Sequence, residues 1–139
     1  MKYISTRNKT ISISSSRAII QGISKDGGLF VPTSIPKIAN LMDLKEMSYK
    51  ELAFVIMSKF LTDFEPSALK NCIDKAYDNK FSSQEIAPLV EAGEVHFLEL
   101  FHGPTLAFKD MALSILPHLL KEAIRINKID KEVVILTAT

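Results

Sequence analysis

Leu98-Glu-Leu-Phe-His-Gly-Pro-Thr-Leu-Ala-Phe-Lys-Asp110 passes from an apolar segment, through a Gly-Pro break, into the start of a helical pattern. Working backward, Val95, Phe97, Leu98, Leu100 and Phe101 predict a short strand. Working forward, the texture predicts a helix from about Phe108 to Asn127 that buries Ala112, Ile115, Leu116, Leu119, Ala123 and Ile126. Lys121, Glu122, Arg125 and Lys128 form its solvated face, and Pro117 kinks it by removing the hydrogen bond to the carbonyl of Leu113. Glu132-Val-Val-Ile-Leu-Thr-Ala138 then predicts a second strand, so the region reads as a βαβ unit. With parallel strands and a right-handed crossover, the loop 102–107 and the segment 137–139 leave the same carboxyl edge of the sheet, where open α/β sheets bind ligands.

Lys109 stands at that edge, at the mouth of the predicted helix, where free backbone N–H groups and the positive end of the helix dipole disfavour an ammonium. Leu106, Ala107 and Phe108 are expected to keep water from one side of the amine. A positioned, uncharged lysine is a nucleophile, and its commonest chemistry is Schiff-base formation with a carbonyl, as in enzymes that carry pyridoxal phosphate. Asp110 favours the helix N-terminus by charge. Thr105 either caps the helix or hydrogen-bonds a ligand group, and His102 either reaches the pocket or bonds to nearby backbone. Phe108 reads first as a packing residue and second as a contact to a cofactor ring.

Outside this region, the chain of 139 residues has a hydrophobic fraction of 47%, enough for a core. Its net charge of +1, with both signs mixed, argues against nucleic acid as a partner. No run reaches the length of a membrane span and the N-terminus lacks an apolar signal region, which makes the cytoplasm the default location and a membrane an unlikely partner class. The one cysteine, Cys72, falls at an apolar helical position and reads as core, and His96 and His118 lack metal-ligand spacing. No metal site is expected.

Ser12 to Gln21 predicts a helix capped by Ser12 or Ser14, and Asp26-Gly-Gly-Leu-Phe-Val-Pro32 predicts a turn and a brief strand over Leu29 to Val31, structural ahead of catalytic. Two amphipathic helices follow. One spans Ser48 to Thr62 with Leu52, Val55, Ile56 and Phe60 on its apolar face; the other spans Pro66 to Tyr77 with Leu69, Cys72, Ile73 and Ala76, and their faces are expected to pack on each other.

Three landmarks, Asp26-Gly-Gly-Leu-Phe-Val-Pro32, Glu99-Leu-Phe-His-Gly-Pro-Thr-Leu-Ala-Phe-Lys-Asp110 and Ile135-Leu-Thr-Ala-Thr139, together resemble threonine synthase, a family of fold type II pyridoxal phosphate enzymes. The resemblance runs from near Gln21 to Thr139. It implies an α/β fold: a small mixed N-terminal domain over 1–92, then the first βαβ portion of the cofactor-binding domain over 93–139. It also implies that Lys109 holds pyridoxal 5'-phosphate as a Schiff base, that Phe108 and Thr139 lie near the cofactor, and that Thr105 and His102 lie near the substrate. The implied reaction converts O-phospho-L-homoserine, a small-molecule substrate, and water to L-threonine and phosphate, with Lys109 also moving protons among substrate carbons.

The family's Ser-Gly-Asp-Thr-Gly type loop and Gly-rich phosphate loop do not occur in this sequence, and an ending on Val133-Val-Ile-Leu-Thr-Ala-Thr139 leads us to expect a shortened, inactive front part of the enzyme. Two alternatives carry different functions: a non-catalytic packing or interaction module, and a homologue acting on another phosphorylated amine or amino acid. The residues assign no oligomeric state.

Overall fold

The computed structural model describes residues 1–134. Three short strands, β1 (Lys2–Ser5), β2 (Ser12–Ser14) and β3 (Phe30–Pro32), form an antiparallel sheet in the order β2-β1-β3. Tyr3 pairs with Ile13 on one side and Pro32 on the other. The predicted helix over 12–21 is therefore shorter than its pattern suggests: α1 is Ser15–Gln21, and the three residues before it are drawn into the sheet by pairing with β1. Ser14, one of the two expected caps, accepts from the Arg17 N–H at 3.4 Å.

The Asp26-Gly27-Gly28 turn is structural, as the sequence suggests. Asp26 Oδ1 accepts from the Gly28 N–H at 2.9 Å, and the Ser5 hydroxyl donates to both carboxylate oxygens at 2.8 and 2.9 Å. The Gly28 N–H, first among these donors, holds the Asp26 carboxyl below the usual carboxylate range. Gly28 is required by contact: a Cβ there would lie 2.2 Å from Ser5 Oγ and 3.0 Å from the Arg7 backbone nitrogen. Gly28→Ala is expected to cost about 1–3 kcal/mol by overpacking, read as a lower urea midpoint.

Of the next two helices, the second lies in the core and the first packs against it. α2 (Tyr49–Phe60) starts with a reciprocal cap in which the Ser48 hydroxyl accepts from the Glu51 N–H and the Glu51 carboxylate accepts from the Ser48 N–H. α3 (Pro66–Ala76) has proline in its first turn, where no donor is needed. Leu69, Cys72, Ile73 and Ala76 of α3 are buried as predicted, and burial pushes the Cys72 thiol up. The packing face of α2 differs from the predicted one: Tyr49, Ala53, Phe54 and Met57 meet the core. The reason is that α2 is apolar on nearly all sides, so periodicity cannot choose a face.

Residues 89–98 form a hairpin, β4 (Leu89–Ala92) antiparallel to β5 (Val95–Leu98), turned by Gly93 at φ +66°. The predicted strand is thus β5, but its partner among the described residues is β4 and not a parallel neighbour. The second strand of the expected βαβ unit, 132–138, falls mainly outside the described residues, and Glu132–Val134 carry no regular structure. The same holds for the expected shared edge with 137–139.

The predicted single helix over 108–127 is two: α4 (Asp110–Leu113) and α5 (Leu116–Ile126). Pro117 does not kink a continuous helix; it occupies the first turn of a new one, because the chain breaks ahead of the missing donor. Ile115, Leu119 and Ala123 pack against the α3 cluster, whereas Ala112 and Leu116 are exposed rather than buried.

One polar network joins the N-terminal sheet region to this core. Asp63, between α2 and α3, accepts from the Ser15 hydroxyl and, at 3.1 Å, from the Ser16 N–H at the start of α1. Asn127, at the end of α5, donates to Ser16 Oγ at 2.8 Å and to the Ala123 carbonyl at 2.9 Å.

Candidate active site

The loop between β5 and α4 is held from both ends. At its start the Glu99 N–H donates to the Pro88 carbonyl at 2.9 Å, and Glu99 Oε2 lies 2.7 Å from His102 Nε2. The other ring nitrogen of His102 lies 3.0 Å from Ser82 Oγ, the Ser82 N–H donates to the His102 carbonyl at 2.9 Å, and the ring stacks on Phe101. His102 therefore ties this loop to the segment after α3. Its ring is engaged by the side chains of Glu99 and Ser82 and does not line the cleft with Lys109, so it takes up neither the expected pocket position nor the expected bond to nearby backbone.

At the far end, Asp110 is only 6% exposed. Its Oδ2 accepts from the Thr105 N–H and its Oδ1 from the Thr105 hydroxyl, both at 2.7 Å. Thr105 is thus spent on Asp110, and Asp110 is more than a favourable charge at a helix start. Between them the Leu106 N–H donates to the Gly103 carbonyl at 3.1 Å, and Leu106 takes φ +61°. A left-handed leucine costs about 1–2 kcal/mol, which the Thr105–Asp110 bonds help to hold.

Lys109 immediately precedes α4 and lines a cleft of ≈ 620 Å³ with Tyr49, Leu52, Ala87, Leu98, Leu100, Phe108, Met111, Ala112 and Leu113. Its backbone is fixed by donation from the Ala112 and Leu113 N–H groups to its carbonyl, at 3.1 and 2.8 Å. Its amine has no hydrogen bond or ion pair among the described residues. Two of the lining residues are held by Tyr77, whose hydroxyl donates to the Met111 carbonyl at 2.8 Å and whose ring meets Tyr49 edge-on. Burial pushes the Tyr77 hydroxyl well above the usual phenol range.

Two expectations about Lys109 need correction. Leu106 and Phe108, expected to dry the amine, are 71% and 65% exposed, and Ala107 is exposed as well. The apolar wall comes also from residues of α2, β5 and α4 and from Leu100, with Phe108 among the lining residues. The long helix whose dipole bears on the lysine is also absent, since α4 has 4 residues.

Thr139 lies outside the described residues. His118 is remote from the cleft; burial, then the cations of Lys80 and Lys75, push its imidazole down. Tyr49, Leu52 and Ala87 were not singled out from the sequence as site residues, and the α2 periodicity pointed only to Leu52.

The comparisons agree in direction. A family model described as threonine synthase N terminus matches residues 2–77. Threonine synthase of Saccharomyces cerevisiae is 46% identical over 130 residues, covering 84% of this chain and 25% of the relative. That of Pseudomonas aeruginosa is 37% identical and spans 100% of this chain and 30% of its own length. The crystal structure of threonine synthase from Brucella melitensis with pyridoxal phosphate bound superposes with a TM-score of 0.85 at 32% identity, over 92% of this chain and 28% of that one. The yeast enzyme structure gives 0.82 at 39% identity, over 91% of this chain and 27% of that one. The chain thus spans between a quarter and a third of the length of these relatives. No described helix is long and apolar enough to cross a membrane. With a family model over more than half its length and a mixed α/β fold that follows solved members, the chain belongs to the threonine synthase N-terminus family.

Proposed function

We propose that this chain is the N-terminal part of a cytoplasmic threonine synthase that converts O-phospho-L-homoserine and water to L-threonine and phosphate, with Lys109 as the residue that holds pyridoxal phosphate. In this reading 1–92 form the N-terminal domain and 93–139 begin the cofactor-binding domain. The observation that carries it is an amine without a partner among the described residues, at the rim of an apolar cleft, on a loop whose backbone is fixed on both sides.

The residues present fit the cofactor in kind. Tyr49, Leu52, Leu98 and Leu100 offer an apolar wall to a heteroaromatic ring, and the Lys109 amine is the nucleophile its carbonyl needs. When bound, pyridoxal phosphate supplies a ring that delocalises negative charge from the α carbon of an amino acid. Lys109 would hold the group through Nζ at its carbonyl carbon, with the carbonyl oxygen leaving as water, and its freed amine would carry protons to and from substrate carbons. Phe108 lends part of the wall. Thr105 and His102 serve the substrate side by shaping the loop, since their polar atoms are engaged within the protein.

Incubation of the chain with pyridoxal phosphate, borohydride reduction and peptide mapping tests this reading. Adduct concentrated on Lys109 and lost in Lys109→Ala is the expected result; an even spread over the surface lysines overturns the assignment. Capture by this chain alone is expected to be weak and without turnover, because it spans so little of its relatives' length. Threonine formation from O-phospho-L-homoserine, followed by chromatography, would overturn that second expectation.

A further inference from the structure

We propose that Asp110 is a positioning residue for Lys109: its carboxylate, seated against Gly103 and bonded to Thr105, sets the loop that presents the lysine to the apolar cleft. The inference rests on the assignment of Lys109 above.

An acid that merely favours a helix start sits in water, where it interacts with the N-terminal dipole without desolvation. Asp110 is buried, and no cation pairs with it among the described residues. Both its oxygens are spent on one residue five positions earlier, the Thr105 N–H and hydroxyl. Neutral donors compensate a buried carboxylate only if their geometry is held, so the arrangement fixes loop shape.

Gly103 completes the clamp. A Cβ there would lie 2.4 Å from Asp110 Cβ and 2.5 Å from its Oδ2, so the glycine leaves the slot the carboxylate fills. The clamp closes across Leu106, whose left-handed backbone is the kind of outlier that surroundings must over-determine. Lys109, next in the chain to Asp110, has its backbone set by this clamp while its amine has no described partner. The carboxylate thus acts through the lysine's position and touches no reacting atom.

The test measures the share of borohydride-fixed cofactor found on Lys109 relative to the other lysines of the same chain, with thermal unfolding recorded alongside. Asp110→Ala and Gly103→Ala are expected to lower that share by about tenfold, since misplacement of a reacting group by an ångström is enough to do so. Asp110→Asn can still accept from the Thr105 N–H and donate to its hydroxyl, and should restore the share to within about twofold of the unsubstituted chain. Thr105→Val, which removes one bond at an exposed side chain, should fall in between. A share unchanged in folded Asp110→Ala overturns the proposal; should that variant not fold, an unchanged share in Thr105→Val overturns it. Absence of selective capture in the unsubstituted chain would overturn the Lys109 assignment and this inference together, whereas selective capture indifferent to Asp110 sinks the inference alone.

Discussion

Asp63→Ala is expected to destabilise the chain by about 3 kcal/mol near neutral pH, because it removes hydrogen bonds to a charged acceptor and strands buried donors. Ser15 and Ser16 are each 1% exposed, and the Ser15 hydroxyl and Ser16 N–H both point at this carboxylate. Asp63 also places a negative charge at the start of α1. Burial pushes its carboxyl up, but the bonds from Ser15 and Ser16 together outweigh burial and hold it below its ordinary value. A carboxyl depressed in the folded state contributes stability above its unfolded pKa and loses it as pH falls through the folded one. The gap between the unsubstituted chain and Asp63→Ala should therefore be full above about pH 5 and shrink in acid. Urea titrations across that range check it; a gap independent of pH would show that the charge contributes nothing.

Ile73→Ala should cost about 4 kcal/mol, the upper part of the range for truncating a buried isoleucine. Ile73 is 1% exposed at the centre of α3, among Leu69, Ala76, Leu119 and Ala123, where neighbouring helices leave little freedom to collapse into a cavity. Leu89→Ala on the exposed hairpin is the control, with an expected change within about 0.5 kcal/mol. Similar losses at the two positions would mean that the core lies elsewhere. The Ile73 effect also bears on the site, because Tyr77, at the end of the same helix, holds the carbonyl of Met111, which lines the cleft.

The α3 face was legible because leucine, cysteine, isoleucine and alanine recur there on one side of a helix whose other side is charged. The α2 face was not, since its apolar residues surround the helix and only its neighbours select Tyr49, Ala53 and Met57. The hairpin was half legible: β5 has an apolar run, while β4 is recognisable chiefly by its pairing across Gly93. The break before α5 was misplaced because proline signals a boundary without saying whether the chain bends or restarts.

Local residue chemistry alone determined the Gly-Pro loop, the lysine at its end, the Asp26-Gly-Gly turn and the core side of α3, because each depends on neighbours within a few positions. Tertiary structure alone decided what surrounds the lysine. The cleft wall comes from Tyr49 and Leu52 on α2 as well as from Leu98 and Leu100 beside the loop, and Asp110 turns inward to Thr105 instead of outward to water. Burial and hydrogen-bond partnership depend on what long-range packing brings together, and no local pattern encodes that.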